Sequence, residues 1–112
     1  MINILFICHG NICRSPMGEF LLKHLTKEEG ISSQFHIESC ATSTEEIGRS
    51  LHPGAKAKLD AMGIPNQRRQ ARQLTRQDYD QFDYLLCMDF KSNTLHTFYF
   101  PLLKHFTAFY QS

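Results

Sequence analysis

The sequence predicts an α/β domain of three layers, a parallel sheet with helices on both faces. Three observations predict it. Residues 2 to 7 hold five apolar side chains in six, the density of a strand buried on both sides of a parallel sheet. A stretch with helical spacing follows at once, and the same strand-then-helix order recurs further along, the alternation that right-handed crossovers turn into a parallel sheet. In such sheets the ligand sits beyond the carboxyl ends of the strands, which directs attention to the loop at residues 8 to 15.

Each element has its own signal. After the first strand, His9, Gly10 and Asn11 are loop formers, and Ser15-Pro16 reads as a helix start with Ser as N-cap and Pro at the first helical position. Met17, Phe20, Leu21, Leu25 and Glu28 then follow a 3.6-residue spacing whose apolar members share a face, and Gly30 is placed to end the helix. Phe35 to Cys40 alternates as a second strand. Pro53 opens a second helix in which Ala55, Leu59 and Met62 share a face, and Gly63 stops it. Residues 66 to 77 are polar, and their Arg68, Arg69, Arg72 and Arg76 read as a solvated face. Phe82 to Met88 reads as a third strand.

At 112 residues, 42% hydrophobic and 21% charged, one packed domain over 1–112 is expected. The formal net charge is +1, with 12 basic against 11 acidic residues. Global charge therefore gives no reason for nucleic-acid or membrane attraction, and any anion site must be local. The sequence opens without a basic leader, and its apolar run is too short for a signal peptide or a membrane span. A cytoplasmic protein is the expectation, with Cys8, Cys13, Cys40 and Cys87 mainly as reduced thiols.

The chemistry concentrates at Cys8 and Arg14. A Cys followed after five residues by Arg means little by itself, but here a buried strand precedes it and a helix start follows. Backbone N–H groups of residues 9 to 14 can then converge on one anion at the positive end of a helix dipole. Arg14 adds a planar fork for two phosphate oxygens. Cys8 sits at the bottom, where dipole and guanidinium favour thiolate over thiol. Ser15 can donate to that sulfur, Asn11 can fix the loop through its amide, and Gly10 permits tight backbone geometry. Taken singly, Cys8 is a small buried hydrophobe and Gly10, Asn11 and Ser15 are turn or cap residues. A metal site at Cys8, His9 and Cys13 is disfavoured because all three crowd one loop with no distant ligand cluster.

The stretch Leu5-Phe-Ile-Cys-His-Gly-Asn-Ile-Cys-Arg-Ser-Pro-Met-Gly-Glu19 resembles the signature of the low-molecular-weight protein tyrosine phosphatases, whose fold is flavodoxin-like. Ser39-Cys-Ala-Thr-Ser-Thr44, His52-Pro-Gly, Gly63-Ile64, Ala71-Arg-Gln73 and Phe82 to Asp89 resemble the family in the same order, so the likeness spans residues 2 to about 93. It implies that Cys8 attacks the phosphorus of a phosphotyrosine protein or a small aryl phosphate. His9, Gly10, Asn11, Ile12, Cys13, Arg14 and Ser15 would hold the phosphoryl group, and water would hydrolyse a phosphocysteine. It also implies a reversible disulfide between Cys13 and the nucleophile, and neither a metal nor a cofactor. No oligomeric state follows.

Three departures stand out. Arg69 occupies the position before Ala-Arg-Gln where many members carry His, which puts at stake a hydrogen bond steadying the loop Asn. Glu45 aligns with an aromatic residue that lines the cleft in some members, so substrate preference is expected to differ. No Asp follows Asp89, although the family keeps its general acid in a later Asp-Pro motif; residues 94–112 are divergent and suggest a truncated or frame-altered chain and a sheet incomplete at its C-terminal end. Without that acid, turnover is expected to fall roughly 100-fold to 10,000-fold, least for aryl phosphates with acidic leaving groups. Asp89 reads as a cap rather than a substitute. In the tail, Leu95, Phe98, Tyr99, Leu102, Leu103, Phe106 and Phe109 fit a helical stripe divided at Pro101. Two alternatives remain. One is an arsenate reductase of the same fold, which needs relay cysteines that Cys40 and Cys87, both in strands, supply poorly; the other is a non-catalytic phosphate-binding module.

Overall fold

The computed structural model of the chain describes residues 1–88 and the backbone of residues 106–108. Among them, strands β1 (Ile2–Cys8), β2 (Phe35–Ala41), β3 (Tyr84–Cys87) and β4 (Phe106–Ala108) alternate with helices α1 (Arg14–Glu28), α2 (Pro53–Ala61) and α3 (Arg76–Gln81). The strands are all parallel, in the order β2-β1-β3-β4. That is the beginning of the doubly wound order whose switch point lies between the first and third strands.

The central strand explains the arrangement. Leu5 and Ile7 have no exposure and Ile4 and Phe6 almost none, as a strand covered on both faces requires. Leu5 and Ile7 pack with Cys40, Leu85, Cys87 and Phe82, and Leu74 leans on the same cluster. This face is covered by the segment that carries α3. Ile4 and Phe6 pack with Ile37 on the other face, where Leu22 of α1 joins them. A third cluster of Phe20, Leu59 and Ile64 ties α1 to α2.

Helix α1 lies very close to β1. A Cβ added at Gly18 would stand 2.8 Å from Phe6 Cδ1. Gly18→Ala is therefore expected to overpack this seam by about 1–3 kcal/mol, of which the better helix propensity of Ala returns about 1 kcal/mol. Thermal or urea unfolding should show a net loss; a gain in stability would mean that the Phe6 ring swings aside freely.

Several sequence expectations shift. Helix α1 begins at Arg14, with Cys13 at the N-cap and no side-chain cap bond, so Ser15 is not the cap and Pro16 lies inside the first turn. The face of α1 that is buried holds Ser15, Pro16, Glu19, Phe20 and Thr26, whereas Leu21 and Leu25 are exposed. The helix turns Phe20 and Leu22 inward together with Ser15 and Glu19, whose polar atoms have partners below it, and leaves Leu21 and Leu25 outside. Met62 is likewise exposed. Gly30 and Gly63 do end their helices, each at positive φ, and the following N–H reaches back to Thr26 or Leu59 in the Schellman pattern. Helix α3 lies within and just past the stretch read as polar loop. Thr75 caps it in a reciprocal box with Asp78, a Thr-x-x-Asp signal present in the sequence.

The arginines are not uniformly solvated: Arg68 and Arg76 are exposed, but Arg69 and Arg72 are half-buried. The helical stripe expected in the tail is overturned at residues 106–108, which form β4 against Leu85–Cys87; the edge of β3 presents backbone groups that a strand satisfies and a helix would not. The remainder of that stretch, with Asp89, lies outside the described residues.

Candidate active site

The loop between β1 and α1 is fixed from outside by its carbonyls. Those of Cys8 and His9 accept from the N–H groups of Thr42 and Ser43 (3.0 and 3.1 Å), that of Ile12 from His52 (2.7 Å), and that of Cys13 from Met17 (3.1 Å). The Ser43 hydroxyl donates to His9 as well, at 2.9 Å. Turning these carbonyls away leaves the inner side of the loop to N–H groups. Cys8, His9, Gly10, Ile12, Cys13 and Arg14 line a cavity of about 170 Å³ there. No acidic residue lies in the first turn of α1, so no side chain of that turn opposes the positive end of its dipole.

The sulfur of Cys8 lies at the floor and is buried. The backbone N–H groups of Asn11 and Ser15 point at it from 3.3 and 3.4 Å, and the Ser15 hydroxyl lies 3.0 Å away. That hydroxyl accepts from Asn11 Nδ2 at 2.8 Å, which leaves its own proton for the sulfur, since the Cys40 carbonyl is farther, at 3.4 Å. Three donors thus converge on one sulfur. Arg14, the first residue of α1, is exposed at the rim. Cys13 is exposed, and Cys40 and Cys87 are buried; all four thiols are unbridged.

Asn11 is the centre of the loop. It is fully buried and is the one non-glycine residue at positive φ among those described, at 57°, a conformation Asn tolerates better than most. Gly10 plays a different part from the one its sequence position suggested. Its φ is not positive, but a Cβ there would come within 3.2 Å of Glu46 Cγ, so its role is close approach.

Every polar atom of the Asn11 side chain is used. Nδ2 donates to Ser15 and, at 2.9 Å, to Ser39 Oγ. Ser39 passes its proton to Glu19 Oε1 at 2.6 Å, and Lys23 closes the chain on Glu19 Oε2 at 2.6 Å. Oδ1 accepts from the backbone N–H of Arg72 at 3.2 Å and from Arg69 Nη2. The bond that Arg69 was expected to put at stake is thus made, by a guanidinium. Burial pulls that guanidinium below its ordinary pKa, while Glu19 and Cys8 draw it upward.

Both arginines reach the loop because residues 71 to 74 run beside the end of β2. Arg72 O accepts from Ala41 N–H, and Leu74 N–H returns to Ala41 O. The Arg72 side chain grips Asp78 with two bonds of 3.0 Å and Glu38 with one of 3.1 Å. Burial opposes its charge, but Asp78 above all, with Cys40 and Glu38, more than offsets this and holds the group above its ordinary pKa. Sequence reasoning named Arg69 only as a departure that put this bond at stake, and missed Glu19, Ser39 and Arg72 as parts of the site. The spacing of Asn11 from Ser39 and from the arginines gives no local signal; only the fold brings them together.

Among the described residues no group of three or more His, Cys, Asp and Glu side chains is gathered as a metal would need, and no helix is long and apolar enough to cross a membrane.

A family model described as low molecular weight phosphotyrosine protein phosphatase matches residues 3–101. The low molecular weight phosphotyrosine protein phosphatase of Sus scrofa is 44% identical over 87 residues, covering 78% of this chain and 54% of the relative. The chain thus spans about half the length of the curated relatives it matches. The crystal structure of YfkJ from Bacillus subtilis superposes with a TM-score of 0.91 at 34% identity, covering 96% of this chain and 69% of that one. SP-PTP, a low molecular weight protein tyrosine phosphatase from Streptococcus pyogenes, gives 0.88 at 32% identity, covering 96% and 71%. With the flavodoxin-like sheet, the Cys8–Ser15 loop and the match over most of its length, the chain belongs to the low-molecular-weight phosphotyrosine protein phosphatase family.

Proposed function

We propose that the protein hydrolyses phosphotyrosine in proteins, and small aryl phosphates, through a phosphocysteine on Cys8. The observation that carries this reading is the buried Cys8 sulfur, met by two backbone N–H groups and the Ser15 hydroxyl at the floor of a cavity edged by Arg14. The sulfur anion attacks phosphorus as the P–O bond to the aryl oxygen breaks, and the aryl oxygen departs as a phenolate that takes its proton from water. Water then attacks the same phosphorus, the P–S bond breaks, inorganic phosphate leaves and the thiolate returns. Each step moves charge among the three equatorial phosphoryl oxygens, which the N–H groups of residues 9 to 14 and the Arg14 fork stabilise in place. Ser15 steadies the sulfur as leaving group in the second step. Cys13, exposed on the same loop, is the partner for a protective disulfide with Cys8.

An arsenate reductase is not favoured. Cys40 and Cys87 have no exposure, and burial pushes the Cys40 thiol well up from its ordinary pKa, the opposite of what a relay thiol needs.

Acid quench during turnover of an aryl phosphate with an acidic leaving group tests the reading, because such a substrate asks least of a proton donor. One phosphoryl group should be found on the peptide bearing Cys8, and inorganic phosphate or vanadate should protect that thiol from alkylation. Turnover with no phosphoryl group on Cys8, or alkylation indifferent to phosphate, would overturn it.

A further inference from the structure

Two carboxylates border the mouth of the loop, and they are held differently. Glu46 packs against Gly10 and lies 3.0 Å from Arg49 Nε, a partner that is always cationic. Glu45 is about two-thirds exposed and pairs with the ring Nε2 of His9, a partner cationic only when protonated. His9 lines the cavity directly, so the Glu45 carboxylate stands one side chain away from the anion seat. Its position is fixed from below. The Glu45 N–H reaches Ser43 Oγ at 3.4 Å, and that hydroxyl is committed to the His9 carbonyl.

A carboxylate beside a phosphate seat needs a reason. It repels the dianion that the loop exists to attract, and a cation elsewhere on the ligand would return the attraction. Building on the phosphatase reading above, we infer that Glu45, set on His9 at the loop mouth, is a specificity-determining residue. It selects phosphotyrosine segments with a Lys or Arg next to the phosphorylated residue and rejects segments with acidic neighbours. The flanking cation meets Glu45 while the phosphoryl group fills the cavity, and His9 gives up its share of the carboxylate. An acidic neighbour would face Glu45 unmatched, an example of selection by repulsion as well as attraction. The site is open to solvent, so the effect is moderate: about 3-fold to 10-fold in kcat/KM between basic and acidic flanks at low ionic strength. It should shrink toward parity near 1 M salt, where the screening length falls to about 3 Å.

The test uses two phosphotyrosine peptides of equal length, one with Lys and one with Asp on either side of the phosphorylated residue. Phosphate release is followed for the wild-type chain, Glu45→Gln and Glu45→Lys. The wild type should prefer the basic peptide, Glu45→Gln should bring the ratio near one, and Glu45→Lys should invert it. Equal turnover of both peptides by the wild type, or a preference that survives Glu45→Lys, overturns the inference while leaving the phosphatase reading intact. Failure of every peptide and of a small aryl phosphate to be hydrolysed would bring down both.

Discussion

Cys8→Ser is expected to abolish turnover of an aryl phosphate, a loss of roughly 10,000-fold or more, while the chain still binds inorganic phosphate. Serine keeps the size and the hydrogen-bonding neighbours of the nucleophile. What it loses is the readiness to carry charge. A hydroxyl at this point would have to give up a proton that three donors cannot remove, since none of them is a base. The loop itself is fixed by its outward carbonyls and by Asn11, none of which depends on sulfur, so the anion seat should persist. Steady-state assay and calorimetric titration with phosphate check the two halves. Turnover surviving in Cys8→Ser would place the chemistry elsewhere, and phosphate binding to a wild type that turns nothing over would identify a binding module.

The largest effect on stability is expected from Asn11→Ala. The substitution strips partners from Ser15, Ser39, Arg69 and the Arg72 N–H together, in a place without exposure. Each buried group left unmatched costs about 1–3 kcal/mol, and Ala at a φ of 57° adds about 1 kcal/mol of backbone strain. Even after the neighbours relax, a loss of about 3 kcal/mol is expected, a large fraction of the stability of an ordinary domain. Thermal unfolding should move down by about 10–20 °C. Asn11→Gly separates the two causes, because it relieves the strain and restores none of the bonds. It should recover no more than about 1 kcal/mol. A loss under about 1 kcal/mol for Asn11→Ala would mean that the network closes without its hub.

What the sequence revealed was local chemistry. The strand before the loop is unmistakable because Ile4 to Ile7 are apolar without interruption, and Cys8, Arg14 and Ser15 are read from spacing within a few residues. What it hid was the polar interior. A helical stripe is judged by its leucines, and that rule turned α1 so that Leu21 and Leu25 faced inward; the buried positions include Glu19 and Thr26. Glu19 can be buried because Ser39 and Lys23 meet both its oxygens, and Ser39 comes from another strand. Arg72 resembles any member of a charge run until segment 71–74 is laid beside β2, whereas Arg69 stands out only through its place before Ala-Arg-Gln. Helix α3 is a different case, because Thr75 and Asp78 do spell its start and only its six-residue length concealed it.

Because the Cys8–Ser15 loop is pinned by bonds to the rest of the fold, it does not have to wait for a guest to take shape. The amides of Asn11 and Ser15 face inward, toward the sulfur. An arriving oxyanion therefore spends little of its binding free energy on ordering the receptor, and more of it is left to lower the barrier.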